Sequence, residues 1–181
     1  MQAALSVILG YALGTLQVLL LDWFQRRRRH RTDLRTIRSE LRRASTFARR
    51  FDWNQSGAAP EPIIPRAPNV SATFEQTVTT AEFVLTDPSD DSSLQEVLLT
   101  ISDSCRALDE YLARIRATVA EFREAEDPAQ REQVRSDLHE MSAWYDQKLD
   151  PVQALIRSAL ENVERRLQEA TMTRQLRRLI G

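Results

Sequence analysis

Arg135 and His139 stand one turn apart on a predicted helix, beside Glu140 and ahead of Trp144 and Tyr145. A helical Arg–His pair has the chemistry for RNA cleavage, with the imidazole as general acid or base and the guanidinium steadying charge on the phosphorane. A surface histidine paired with a neighbouring Glu or Arg explains the same residues more simply. The pair is therefore kept as a low-ranking RNA site, no catalytic residue is assigned, and the chain is not expected to be an enzyme. Cys105 is the only cysteine, so no intrachain disulfide can form. It falls inside an apolar repeat and reads as a small buried hydrophobe rather than a nucleophile. The two histidines, His30 and His139, come with no CxxC, HExxH or Gly-rich phosphate loop, so neither metal nor cofactor is expected.

The remaining chemistry is charge. Arg26, Arg27, Arg28, Arg29 and Arg31 form a block suited to headgroup phosphates and other anions. The block could also hold RNA, but the nearby aromatics Trp23 and Phe24 suit a bilayer interface better than base stacking. Between Arg26 and Arg50 eleven arginines face only Asp33 and Glu40, a local charge of +9 in a chain whose net charge is −1. A basic rod thus precedes an acidic body. Arg35, Arg38, Arg42, Arg43, Arg49 and Arg50 lie too far along the rod to meet the same headgroups and are expected to meet that body, in this chain or a neighbour.

These residues must be placed by helices. Residues 3–21 carry no charge and, apart from Ser6, Thr15 and Gln17, are dominated by apolar side chains. At 1.5 Å per residue they would span roughly 28 Å, which predicts a transmembrane anchor over residues 1–24. The arginines that follow place the N-terminus outside, the body in the cytoplasm and the protein in the cell inner membrane. Ser6, Gly10, Gly14 and Gln17 share one stripe of that helix and include a GxxxG, the pattern by which membrane helices approach closely. Self-association through the stripe is expected, as a contact in a dimer or as a pore lining in a larger ring.

Leu34, Ile37, Leu41, Ala44, Ala48 and Phe51 continue a helical face, so a basic juxtamembrane helix is predicted over 25–56, ending near 53–57. Prolines at 60, 62, 65 and 68 make 57–70 an extended connector. An acidic helical bundle is expected over 71–181, packed against 32–56. Its parts are a short helix from Ser71 to about Leu85 and a turn over 87–93. Next comes a seam of nine apolar residues from Leu94 to Phe122 at alternating steps of four and three. Asp127-Pro128 and Asp150-Pro151 each read as a helix start, predicting helices over about 128–149 and 151–179 with a bend or break between. Arg174 to Gly181 makes a short basic amphipathic end. The fold class is all-α: one N-terminal transmembrane helix continuing into a cytosolic antiparallel helical bundle.

In size, in its single N-terminal apolar segment and in its helical body, the chain resembles the small membrane-anchored helical accessory effectors of prokaryotic CRISPR and other antiviral defence systems. Some of these carry a helical Arg–His nuclease motif, but Arg135-Ser-Asp-Leu-His139 leaves only three residues between the two. That spacing does not match the motif, so no catalytic role is carried over. The resemblance implies a membrane-bound effector of antiviral defence. The leading expectation is a self-associating pore. The alternatives are a membrane-tethered scaffold that recruits a cytosolic protein or nucleic-acid partner, and a helical RNA-acting enzyme. Expected partners are membrane lipids, further copies of the chain, and a cytosolic protein or RNA.

Overall fold

The computed structural model describes residues 2–54, 61–80 and 88–180, with side chains described over 14–54, 61–80 and 94–169. Four helices are found among them: α1 (Gln2–Phe47), α2 (Ala72–Thr80), α3 (Pro88–Glu124) and α4 (Pro128–Ile180). Between α1 and α2 two short strands, β1 (Asp52–Trp53) and β2 (Pro62–Ile63), pair antiparallel with Asp52 opposite Ile63.

Contacts at matched heights set the helix directions. Arg42 bonds Glu164 and Arg50 bonds Asp150, so α1 and α4 run antiparallel. Thr118 meets Met141 and Tyr111 meets Trp144, which makes α3 and α4 antiparallel as well. Ser102 bonds Glu75 while Gln95 bonds the Val78 carbonyl, and Glu40 accepts the Ser71 N–H while Thr80 shares a hollow with His30 and Asp33, so α2 opposes both α3 and α1. The body is therefore an up-down-up-down four-helix bundle.

The seam read from the sequence is the core. Leu94, Leu98, Ile101, Cys105, Leu108, Leu112, Ile115, Val119 and Phe122 are all buried. A repeat averaging 3.5 residues keeps one face of α3 turned inward over its whole length. Leu34, Ile37, Leu41 and Ala44 of α1 meet it from one side, and Leu138, Tyr145, Leu149, Ile156 and Val163 of α4 from another. Phe74 and Val78 of α2 are also buried in this core. Thr77, Thr79 and Thr80 suit a strand by propensity, yet they lie in α2, where each hydroxyl bonds a carbonyl four residues back. The predicted caps form: the Phe74 N–H donates to Ser71 Oγ, and the Ala129 N–H to Asp127 Oδ1.

Several expectations are corrected. Among the described residues no helix is long and apolar enough to cross a membrane, so the transmembrane helix expected over 1–24 is not supported. Side chains before Gly14 lie outside the described residues. The basic helix ends at Phe47 rather than near 53–57, because the chain turns there to form the β1–β2 pair. The turn expected over 87–93 belongs to α3 from Pro88 onward, and residues 81–87 lie outside the described residues.

No break separates 128–149 from 151–179: α4 continues through Pro151 as one helix. Proline in a helix interior costs about 3 kcal/mol, because it removes one hydrogen bond and crowds the preceding turn. Here that turn is gripped by the segment that follows α1. Asp150 accepts from Arg50 at 2.8 Å, Asp146 accepts the Phe51 N–H at 3.2 Å, and Gln153 donates to the Ala48 carbonyl at 2.7 Å. Leu149 and Val152 are buried on either side of it. These contacts offset the local penalty and hold one continuous helix.

Two core groups yield predictions. Burial pushes the Cys105 thiol from an ordinary value near 9 up to about 12. At pH 8 that leaves about a thousandfold less thiolate than an ordinary cysteine would carry. Iodoacetamide is accordingly expected to label Cys105 only in denaturant, as read by mass spectrometry. Tyr145 is fully buried and its hydroxyl has no hydrogen-bond partner among the described residues. Its ring packs edge-on against Phe51 with centroids 5.1 Å apart. An unsatisfied buried hydroxyl costs about 1–3 kcal/mol. Tyr145→Phe keeps the ring and is expected to raise the melting temperature by about 2–4 °C, as measured by calorimetry.

Candidate interaction site

The site begins where α1 leaves the bundle. From Leu34 onward this helix buries one face, but over Leu16 to Leu21 none of the described residues covers it. Leu16, Val18, Leu19, Leu20 and Leu21 are 48–66% exposed, and Phe24 is 58% exposed. Val18 to Leu21 occupy four consecutive positions about 100° apart, so the apolar surface wraps around the whole helix. A folded chain seldom presents a contiguous apolar surface to water unless something docks there.

Charge closes this region off. Asp22 pairs with Arg26 at 3.0 Å, one turn along the helix. The Arg27 guanidinium lies over the Trp23 ring at 5.1 Å, and Trp23 meets Phe24 edge-on at 5.0 Å. Arg26, Arg28 and Arg29 are exposed, while Arg27 and Arg31 are half-buried. The result is an apolar helix end, an aromatic pair and then a cationic collar, in that order. Beneath the collar Asp22, Arg26, Arg29, His30, Asp33 and Thr80 line a hollow of about 180 Å³. Burial raises the Asp33 carboxyl above its usual range, and the charges of His30 and Arg29 oppose that shift.

The four residues of the predicted stripe are only partly placed. Gly14 and Gln17 are exposed, and a Cβ at Gly14 would meet no atom within 4 Å. Ser6 and Gly10 lie outside the residues with described side chains, as does the basic end from Arg174. Two of the six later arginines meet the acidic body of the same chain, Arg42 pairing with Glu164 and Arg50 with Asp150, while Arg43 lies 3.6 Å from Glu40 of its own helix.

Arg135 and His139 are not brought together by any described contact. Arg135 pairs with Glu132 at 3.2 Å. His139 stacks flat on Trp53, with centroids 3.8 Å apart and planes 7° from parallel. That stack ties the strand pair to α4 and accounts for the histidine structurally. Among the described residues no cluster of His, Cys, Asp or Glu could hold a metal ion.

A second basic concavity went unmarked in the sequence. Arg43 and Phe47 of α1, Arg66 and Asn69 of the connector, and Asp109 and Arg116 of α3 line a cleft of about 400 Å³. Three separate segments build it, so no local spacing could have announced it. Comparison of the chain with protein-family models, with curated proteins and with solved structures finds no match in any of the three.

Proposed function

We propose that this protein is a non-catalytic helical module that attaches to an anionic lipid surface through the exposed first part of α1 and displays its four-helix body to a partner. The observation that carries this reading is the exposed apolar set Leu16, Val18, Leu19, Leu20, Leu21 and Phe24, interrupted by Gln17 and set directly against Arg26 to Arg29. A protein groove takes one stripe of a helix, whereas a surface apolar on every side suits the acyl layer. Arginines next to it would pair with lipid phosphates. A parallel assembly of copies would instead crowd these cationic collars against one another. The reading is of attachment at a surface, without passage through the bilayer, so the pore expectation is not carried forward.

Co-sedimentation tests it. The full chain should pellet with vesicles containing roughly one-third phosphatidylglycerol and stay in solution with phosphatidylcholine alone, as expected when anionic headgroups supply the charge. A chain that ignores both vesicles and elutes as an oligomer would show that the apolar run is a protein seam and would sink the proposal.

A further inference from the structure

We infer that the cleft between α1, the connector and α3 binds a nucleoside monophosphate. This inference does not depend on the lipid reading, because the cleft lies about 30 Å along α1 from Phe24, beyond the reach of the same headgroups. Its volume of about 400 Å³ falls within the range of small-molecule sites.

Charge selects the ligand. Arg43, Arg66 and Arg116 against Asp109 leave the lining with a charge of +2. A phosphate monoester carries about −1.5 to −2 at neutral pH and offers the oxygens that guanidinium forks hold best. Among the described residues Arg66 and Arg116 make no ion pair, and Arg43 lies 3.6 Å from Glu40. Two of the three cations therefore remain available to an incoming anion. A triphosphate would overload this lining and set surplus charge against Asp109.

Shape supplies the other half. The Arg66 guanidinium sits over the Phe47 ring at 5.9 Å, which makes a flat cationic shelf where a planar base can stack. Asn69 and Asp109 add an amide and a carboxylate able to bond base edges or ribose hydroxyls.

Isothermal titration of the full chain with AMP tests the inference, with adenosine, inorganic phosphate and glycerol 3-phosphate titrated separately. AMP should bind saturably at one site and at least tenfold tighter than any of the other three. Arg66→Gln/Arg116→Gln should weaken AMP at least tenfold, and Arg157→Gln should leave it unchanged. Arg43→Gln, read alone, should weaken it several-fold and serves if the double variant loses its helical circular dichroism. Absence of saturable AMP binding, or binding indifferent to both sets of arginine changes, would overturn the site. Glycerol 3-phosphate binding as tightly as AMP would overturn the nucleoside assignment.

Discussion

Neutralising Arg26, Arg27, Arg28 and Arg29 to glutamine is expected to weaken binding to anionic vesicles about a thousandfold. Each basic residue close to an anionic surface contributes about 1 kcal/mol, and about 4 kcal/mol corresponds to nearly three decades in affinity. Folding should be untouched, because these side chains contribute nothing to the buried core. Arg157→Gln, an exposed change on α4, should leave vesicle binding as it was. Salt separates the two contributions to attachment. Leu19→Ser/Leu20→Ser should weaken binding equally at low and high ionic strength, because burial of apolar surface is not screened. The arginine variant should show the reverse, its defect shrinking as salt rises. Vesicle binding unaltered by the four glutamines would remove the arginine collar from the mechanism.

Leu112→Ala is expected to destabilise the bundle by about 3 kcal/mol, the middle of the range for a large-to-small change at a filled site. Leu112 is fully buried in the α3 seam, one helical turn from Leu108 and Ile115, so the lost methyl groups leave a cavity that the bundle can only partly close. Total stabilities of 5–15 kcal/mol make that a large share, and the melting temperature should fall by about 6–12 °C. Leu99→Ala supplies the contrast. Leu99 lies on the same helix but is 36% exposed, and its truncation should shift melting by no more than about 2 °C. Equal effects at the two positions would show that the heptad seam is not the organising core.

The features legible in the residue order are those written in local periodicity. Nine seam positions from Leu94 to Phe122 repeat in step with a helix, and each one is buried. The Ser71 and Asp127 caps were readable for the same reason, since a cap and the N–H it accepts are only two or three residues apart. Pairing of the basic rod with the acidic body followed from the uneven spread of charge, although the sequence left open whether the partner was the same chain.

Features that depend on meetings between distant segments were not legible. Pro151 reads as a helix start until Ala48, Arg50 and Phe51 are seen to grip the turn around it. His139 reads as a partner for a nearby charge until the β1–β2 pair brings Trp53 onto its face. Residues 3–21 read as a span by length and hydropathy, but among the described residues no helix is long and apolar enough to cross, and this one continues into a bundle element. The cleft of Arg43, Arg66 and Arg116 has no signature at all, because its three segments are neighbours only in space. Periodicity and charge are properties of the chain read along its length, and they chose the helices, their buried faces and the uncovered basic end. Where a helix stops, what a histidine stacks on and which arginines share a hollow depend on packing across the bundle, where contact energies between remote residues outweigh local preference.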